Sequence, residues 1–218
     1  MDRMLARRAF LAMMGSVVHA TGTHSAPSVR QRFLDSATEF EFQRYTEPHH
    51  SCVLPRENAI TFSRRGRFLV YISDRGGAAH AWSMDLKSSE HRQLSEGAPV
   101  EPASLTLTAD ERNLLYVAEG KLWMAGLKPR LLWGEPGLRA EAGVAAIPDG
   151  PSAVVVEQTG HGSRLRRLPL GKGAASVMAE FPVAVLDPLP RPRRASMAVR
   201  DSGGGVWLAE LDGGKPRR

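Results

Sequence analysis

The sequence has one cysteine, few aromatic residues and no long apolar run, and each shortage excludes a class of protein. With Cys52 alone, the chain has no internal disulfide framework and no Cys-rich zinc site. No stretch approaches 18 uninterrupted apolar residues, so no transmembrane helix is predicted. The sequence also lacks a Gly-x-Ser-x-Gly elbow, a phosphate-binding loop and a dinucleotide fingerprint. The common catalytic signatures therefore assign no activity.

The overall amino-acid composition is typical of a soluble globular protein rich in turns. Hydrophobic residues make up 42% and charged residues 24% of the 218 residues, with 21 glycines and 15 prolines. Basic residues outnumber acidic ones by 29 to 23, for a net charge of +6, which favours anionic partners only weakly. Aromatic residues do not alternate with the basic ones, so nucleic-acid binding is not predicted.

Residues 1–20 have the layout of an export signal, with a basic start, a mildly apolar stretch and small residues near position 20. They contain a twin-arginine-like motif formed by Arg7, Arg8, Phe10 and Leu11. We therefore expect a periplasmic or secreted protein. The alternative is a short amphipathic helix with incidental arginines. The polar segment 21–39 is predicted to be a flexible lead-in.

A repeat of about forty residues organises the chain from Phe40 onward. Each copy holds apolar runs of four to six residues bounded by turn residues, the pattern of a meander of short strands. The leucines that close the third run of each copy recur 41, 43 and 41 residues apart, at Leu86, Leu127, Leu170 and Leu211. A period near 40 with about four strands per unit predicts an all-β fold, a β-propeller of four-stranded blades. A β-sandwich is the alternative, and the regular internal similarity argues against it.

About four blades are present, with predicted boundaries at 59–97, 98–137, 138–182 and 183–218. The preceding segment 40–58 is predicted to be a closing strand and linker. The fourth copy stops near Arg218 after its third run, so we expect an incomplete ring and a truncated chain. The alternative is a four-blade ring in which residues 42–45 pair with 206–211. An open ring leaves the apolar faces of its two end blades exposed to solvent, and this exposure predicts self-association.

The first repeat is similar to TolB-like propeller repeats and most resembles the oligogalacturonate lyase family. The residues that carry this resemblance are Phe62–Gly77, Trp82–Leu86 and Arg92–Ser95. Segment 187–192 reads Asp-Pro-Leu-Pro-Arg-Pro, where that family commonly shows His-Pro-x-x-Arg-Pro. The resemblance covers about residues 40–211. It implies a seven-bladed propeller that cleaves galacturonate oligomers by β-elimination in pectin degradation.

The resemblance also implies which groups such a site needs. Elimination requires a base for the proton next to a carboxylate and a cation for the charge that develops there. The family holds a divalent metal, typically manganese, through histidine and glutamine, and adds a catalytic histidine and an arginine. Only the arginine has a counterpart here, Arg191, which is expected to bind the carboxylate of an acidic oligosaccharide. Asp187 stands where the family has histidine.

The family's metal ligands and catalytic histidine lie in later blades. We therefore expect no metal or other cofactor in this chain, with manganese implied only for the full-length family, and no activity from this chain alone. The second hypothesis is a noncatalytic, TolB-like periplasmic binding propeller that acts through its face loops.

Five further groups of residues have competing interpretations. His49 and His50, near Glu47 and Cys52, are candidate metal ligands, but adjacent side chains alternate in an extended chain, which favours a polar loop. His161 is expected in a surface hairpin. The remaining basic residues are predicted to be solvated, with a groove for a polyanionic sugar as the alternative: Arg164, Arg166, Arg167, Arg193 and Arg194. Turn caps are predicted at Asp74, Asp149 and Asp201, and packing between blades at Trp82, Trp123 and Trp207.

Overall fold

A computed structural model describes residues 25–26, 30–56, 59–126, 129–134, 137–138, 142–148, 150–191 and 193–218. The export motif of Arg7, Arg8, Phe10 and Leu11 lies outside these ranges, as do Leu127 and Asp149. No helix in the described ranges is long and apolar enough to cross a membrane.

The described residues form short strands and one 3-10 helix, Pro102–Ser104. The strands are β1 (Ser25–Ala26), β2 (Gln31–Leu34), β3 (Glu41–Arg44), β4 (Cys52–Val53), β5 (Phe68–Ser73), β6 (His80–Asp85), β7 (His91–Gln93), β8 (Thr106–Leu107), β9 (Leu114–Ala118), β10 (Lys121–Ala125), β11 (Arg130–Trp133), β12 (Val144–Ala146), β13 (Ser152–Thr159), β14 (Gly162–Pro169), β15 (Ser176–Phe181), β16 (Val185–Pro190), β17 (Ser196–Asp201) and β18 (Val206–Glu210).

Four antiparallel sheets follow one another along the chain. Their strand orders are β1-β7-β6-β5-β4, β11-β10-β9-β8, β12-β13-β14-β15 and β16-β17-β18. Consecutive strands pair as neighbours within each sheet, as in a meander. The predicted all-β architecture of antiparallel, mostly four-stranded sheets is confirmed.

Each inner sheet is buried on both faces, which explains its continuous apolar runs. In β9, Leu114 and Tyr116 pack towards the first sheet, whereas Leu115 and Val117 pack towards the third. Successive side chains along a strand point to opposite faces of the sheet. A sheet packed between two others therefore needs apolar residues at both odd and even positions of its strands. The third sheet repeats the pattern, because Val154 faces the fourth sheet and Val155 the second.

Three apolar clusters join the four sheets in sequence: first to second, second to third, and third to fourth. Within the described ranges, no buried cluster joins the first sheet to the fourth, so the sheets form an open arc. The outer face of the first sheet instead packs Trp82 and Met84 under Ala26 and Tyr45. The predicted packing between blades is therefore wrong for Trp82, which lies beneath the leading segment. Trp123 and Trp207 do pack between sheets.

The leading segment differs from its sequence-based description. Segment 21–39, predicted as a flexible lead-in, contains β1, which extends the first sheet, and β2. Strand β3 pairs with β2 in a hairpin, and Arg217 bridges to Leu208 of β18. The backbone groups that a closing strand would use on β18 near Leu208 are thus already bonded to Arg217.

Candidate functional site

Arg191 lies in the turn between β16 and β17, which projects from one face of the arc. Its backbone N–H donates to the Ser196 carbonyl at 3.2 Å, and the Arg194 N–H donates back to the Arg191 carbonyl at 3.2 Å. Arg193 adopts a left-handed backbone conformation (φ 58°), which lets the chain reverse within the turn. The turn thus presents three arginines from a backbone fixed by hydrogen bonds.

A cavity of about 280 Å³ opens beside this turn, between the third and fourth sheets. It is lined by Ile147, Pro148, Arg167, Pro190, Arg191, Arg193, Arg194, Ala195, Leu211 and Asp212. Arg167 donates from Nε to Ser152 Oγ at 3.2 Å. Among the described residues, no carboxylate forms a salt bridge with Arg191 or Arg194. The described lining therefore contains four arginines and one aspartate, a composition that favours an anionic ligand.

This arrangement is suited to carboxylate or other oxyanion ligands. A guanidinium presents two parallel N–H donors that match the two oxygens of a carboxylate. Ile147, Pro148 and Leu211 supply apolar surface on which a sugar ring can rest. Sequence reasoning identified Arg191 and its basic neighbours but missed Asp212, which reaches this turn because β18 pairs with β17 in the fourth sheet.

Asp187 accepts from two arginines of different sheets. Its carboxylate pairs with Arg56, which follows β4, and with Arg200 of β17. Asp187 also has a positive φ of 53°, at the irregularity where β16 shifts register between Leu186 and Leu189. At this position, where the resembled family has histidine, the chain has an ion-pair acceptor.

The arginines of β14 are not the solvated edge predicted from the sequence. Arg166 pairs with Glu157 at 2.8 Å, with both side chains mostly buried, and its guanidinium lies 4.7 Å from the Trp133 ring centre. Arg164 pairs with Glu180 on the neighbouring strand at 2.7 Å. The prediction failed because each arginine forms an ion pair with an acidic residue on the neighbouring strand. Glu157 lies 9 residues from Arg166, and Glu180 lies 16 residues from Arg164.

The turn before β4 carries a cluster of two histidines and a carboxylate. Oε2 of Glu47 lies 3.2 Å from Nε2 of His49 and 3.2 Å from Nε2 of His50. One ligand atom from each residue lies within 4.8 Å of the others, so the three can hold a metal ion. The polar-loop interpretation assumed alternating side chains, but these residues form a turn in which His50 N–H donates to the Glu47 carbonyl at 3.3 Å.

The Asp74 side chain contacts this cluster instead of capping its own turn as predicted. Its Oδ1 accepts the Ser51 N–H at 2.9 Å and lies 3.5 Å from Nδ1 of His50. By contrast, Asp201 caps its turn as predicted, accepting from the N–H groups of Gly203 and Gly205. The Trp207 indole N–H also donates to Asp201 and, with these backbone bonds, lowers the pKa of Asp201.

A buried polar pair lies deeper in the first sheet. The Tyr71 hydroxyl lies 2.7 Å from His91 Nδ1, and both residues are almost fully buried. Burial, with the nearby Arg75 charge, lowers the pKa of His91, and burial raises the pKa of Tyr71. The pair is closed to substrate, so its role is structural.

Comparisons with solved structures support the propeller fold. Oligogalacturonate lyase from Vibrio parahaemolyticus superposes with a TM-score of 0.78 at 18% identity, over 89% of this chain and 60% of that protein. An oligogalacturonate lyase in complex with manganese gives 0.78 at 20% identity, over 89% and 60%. TolB from Acinetobacter baumannii gives 0.55 at 12% identity, over 95% and 57%. The chain therefore spans about 60% of the length of the two lyases.

No family model and no curated protein matches the sequence. At these identities the structural likeness establishes the β-propeller fold alone. The manganese ion bound by the second lyase is a property of that protein.

Proposed function

We propose that this chain is an exported propeller segment that binds acidic oligosaccharides of the galacturonate type. The observation that carries the proposal is the arginine-lined cavity around Arg191, in a fold shared with oligogalacturonate lyases. A uronate carboxylate is received by the Arg191 guanidinium, with Arg167 and Arg194 beside it. The sugar ring rests on the apolar wall formed by Pro148 and Leu211.

Arg191 has two roles in this proposal. In the ground state it holds the carboxylate through paired N–H donors. In the β-elimination of a complete lyase, negative charge spreads into that carboxylate when the neighbouring proton leaves, and an arginine in this position would stabilise it. Among the described residues that line the cavity there is no histidine, and Asp212 is the one acid. Since the resemblance places the family's base and metal ligands in later blades, we expect residues 1–218 to bind the sugar without cleaving it.

The binding test is calorimetry with digalacturonate and, for comparison, the neutral disaccharide of galactose. Digalacturonate should bind the wild-type chain, and Arg191→Gln should weaken it roughly tenfold or more through loss of charge-assisted hydrogen bonds. Arg112→Gln removes an exposed arginine from a different turn and should leave the affinity unchanged. Equal binding of the two disaccharides, or an unaltered affinity in Arg191→Gln, would refute the proposal.

The catalytic part is tested separately, by following the absorbance of the unsaturated product with digalacturonate and manganese. We expect no turnover from this chain. Robust turnover would overturn that expectation while leaving the binding proposal intact.

Export through the twin-arginine route is part of the proposal. Substitution of both Arg7 and Arg8 by lysine should retain the protein in the cytoplasm, as measured by cell fractionation. Unchanged export of that variant would remove the twin-arginine assignment without affecting the sugar site.

The second candidate is a noncatalytic binding propeller of the TolB type, favoured by the superposition on TolB over 95% of this chain. A folded chain that binds neither disaccharide would favour this candidate over the first.

A further inference from the structure

We propose that Glu47, His49 and His50 form a binding site for a divalent transition-metal ion, with Asp74 orienting His50. Zn²⁺ is the ion that this donor set fits best, because two imidazoles and one carboxylate make up a common three-ligand zinc site. The site is separate from the sugar cavity, because none of these residues lines that cavity.

Two of the three distances between the donor atoms already match the spacing that a small ion needs, and all three lie within 4.8 Å. Zinc binds imidazole nitrogen and carboxylate oxygen at about 2.0–2.2 Å, so neighbouring ligands around a tetrahedral ion lie roughly 3.3–3.5 Å apart. Glu47 Oε2 lies 3.2 Å from the Nε2 atoms of both histidines. The carboxylate oxygen therefore occupies one corner, with two imidazole nitrogens at matching distances.

The turn explains how consecutive histidines reach one point. Residues 47–50 reverse direction, closed by the hydrogen bond from His50 N–H to the Glu47 carbonyl. The two imidazole rings lie with centres 4.3 Å apart and planes tilted by 52°. In a strand, adjacent side chains would point to opposite faces.

Asp74 provides the second, independent observation. Metal-bound histidines characteristically have a carboxylate or carbonyl at the other ring nitrogen, which fixes the tautomer and the ring orientation. Asp74 Oδ1 lies 3.5 Å from His50 Nδ1, leaving Nε2 for the ion. The Ser51 N–H holds the same oxygen at 2.9 Å, so the orienting group is itself anchored to the backbone.

The three ligands differ in exposure, so one side of the site is largely buried and the other faces solvent. The side chains of Glu47 and His50 are 23% and 24% exposed, whereas that of His49 is 68% exposed. Three protein ligands with one side towards solvent leave a fourth position for water or an exchangeable ligand. A bound ion would fix the turn before β4, which Asp74 already connects to the turn after β5 through Ser51 and His50.

The test is titration of Zn²⁺ into the tag-free, full-length chain, by calorimetry and by competition with a chromophoric chelator. One site per chain is expected. His49→Ala, which removes an exposed side chain and leaves the core untouched, should weaken binding at least tenfold, as should Glu47→Gln. Asp74→Asn should weaken it by roughly 10- to 100-fold, the effect expected of an orienting group.

His161→Ala is the matched control, because it removes a histidine outside the proposed site. It should retain wild-type affinity, and X-ray absorption of the zinc complex should report two imidazoles. Circular dichroism checks that each variant is folded. The proposal is overturned if wild type binds no Zn²⁺, if folded His49→Ala and Glu47→Gln bind as tightly as wild type, or if the control variant loses the site.

Discussion

Arg56 forms an ion pair with Asp187, although 131 residues separate them in the sequence. Arg56 follows the innermost strand of the first sheet, and Asp187 lies on the innermost strand of the fourth. The pair therefore spans the axis around which the sheets are arranged. It joins the two ends of an arc that, in the described ranges, no buried apolar cluster closes.

Removing this shared carboxylate should destabilise the chain. In Asp187→Asn, Arg56 and Arg200 each lose the charged partner that the mostly buried Asp187 supplies, which should cost about 1–2 kcal/mol. Glu210→Gln is the control, because its pair with Arg217 is solvent-exposed and should contribute under about 1 kcal/mol. Urea unfolding measures both variants, and equal stability of the two would contradict the role assigned to Asp187.

The buried pair of Glu157 and Arg166 should matter more than its exposed neighbour. The two side chains are 6% and 16% exposed, so Glu157→Gln leaves a buried guanidinium uncompensated and should cost roughly 3 kcal/mol. Glu180→Gln breaks the parallel pair with Arg164, where the carboxylate is 63% exposed, and should cost under about 1 kcal/mol. Urea unfolding of both variants checks this order, and a Glu180→Gln loss as large as that of Glu157→Gln would be inconsistent with it.

Gly162 is required by a close approach of backbones at the β13–β14 turn. A Cβ there would lie 2.0 Å from the Phe181 carbonyl oxygen, at a φ of 152°. Gly162→Ala should therefore destabilise the chain by more than about 1 kcal/mol. Gly160→Ala, two residues earlier, meets nothing within 4 Å and should be well tolerated. Thermal unfolding compares the two, and similar melting temperatures would argue against the described turn.

Stability should fall on mild acidification because of His91. Its lowered pKa means that the unfolded chain binds the proton more readily than the folded chain. The stability is fully present above the unfolded pKa of about 6.5 and declines as the pH falls below it. Burial also lowers the pKa of His80, which acts in the same direction.

Urea unfolding at pH 7.5, 6.5 and 5.5 measures this slope. His91→Gln should flatten it, and His161→Gln, at an exposed position, should leave it unchanged. An identical slope in wild type and His91→Gln would exclude His91 as its source.

The fold was readable from the sequence because each blade repeats the same short apolar runs. Leu86, Leu170 and Leu211 follow the third main strand of their sheets, as the forty-residue period requires. The continuous apolar runs of β9 and β13 were informative, because a strand buried on both faces needs apolar side chains at every position and not only at alternate ones. The strand pairing of the leading segment could not be predicted. Strands β2 and β3 are exposed, so their sequences lack the pattern of buried apolar residues that would specify a pairing partner.

The candidate sites were less accessible to sequence reasoning. Arg191 was identified through a resemblance, whereas Asp212 joins it because β18 pairs with β17 and ends beside the turn that holds Arg191. Asp74 meets His50 across 24 positions, a contact that local spacing does not encode. The convergence of His49 and His50 depends on a turn that the sequence signals only through Pro48.

The most direct measurement for the proposed sugar site is a crystal structure of this chain grown with digalacturonate. We predict a uronate carboxylate within hydrogen-bonding distance of the Arg191 guanidinium, at the turn between β16 and β17. A sugar bound on the opposite face, or no sugar at a saturating concentration with the cavity accessible, would contradict the assignment of this turn as the binding site.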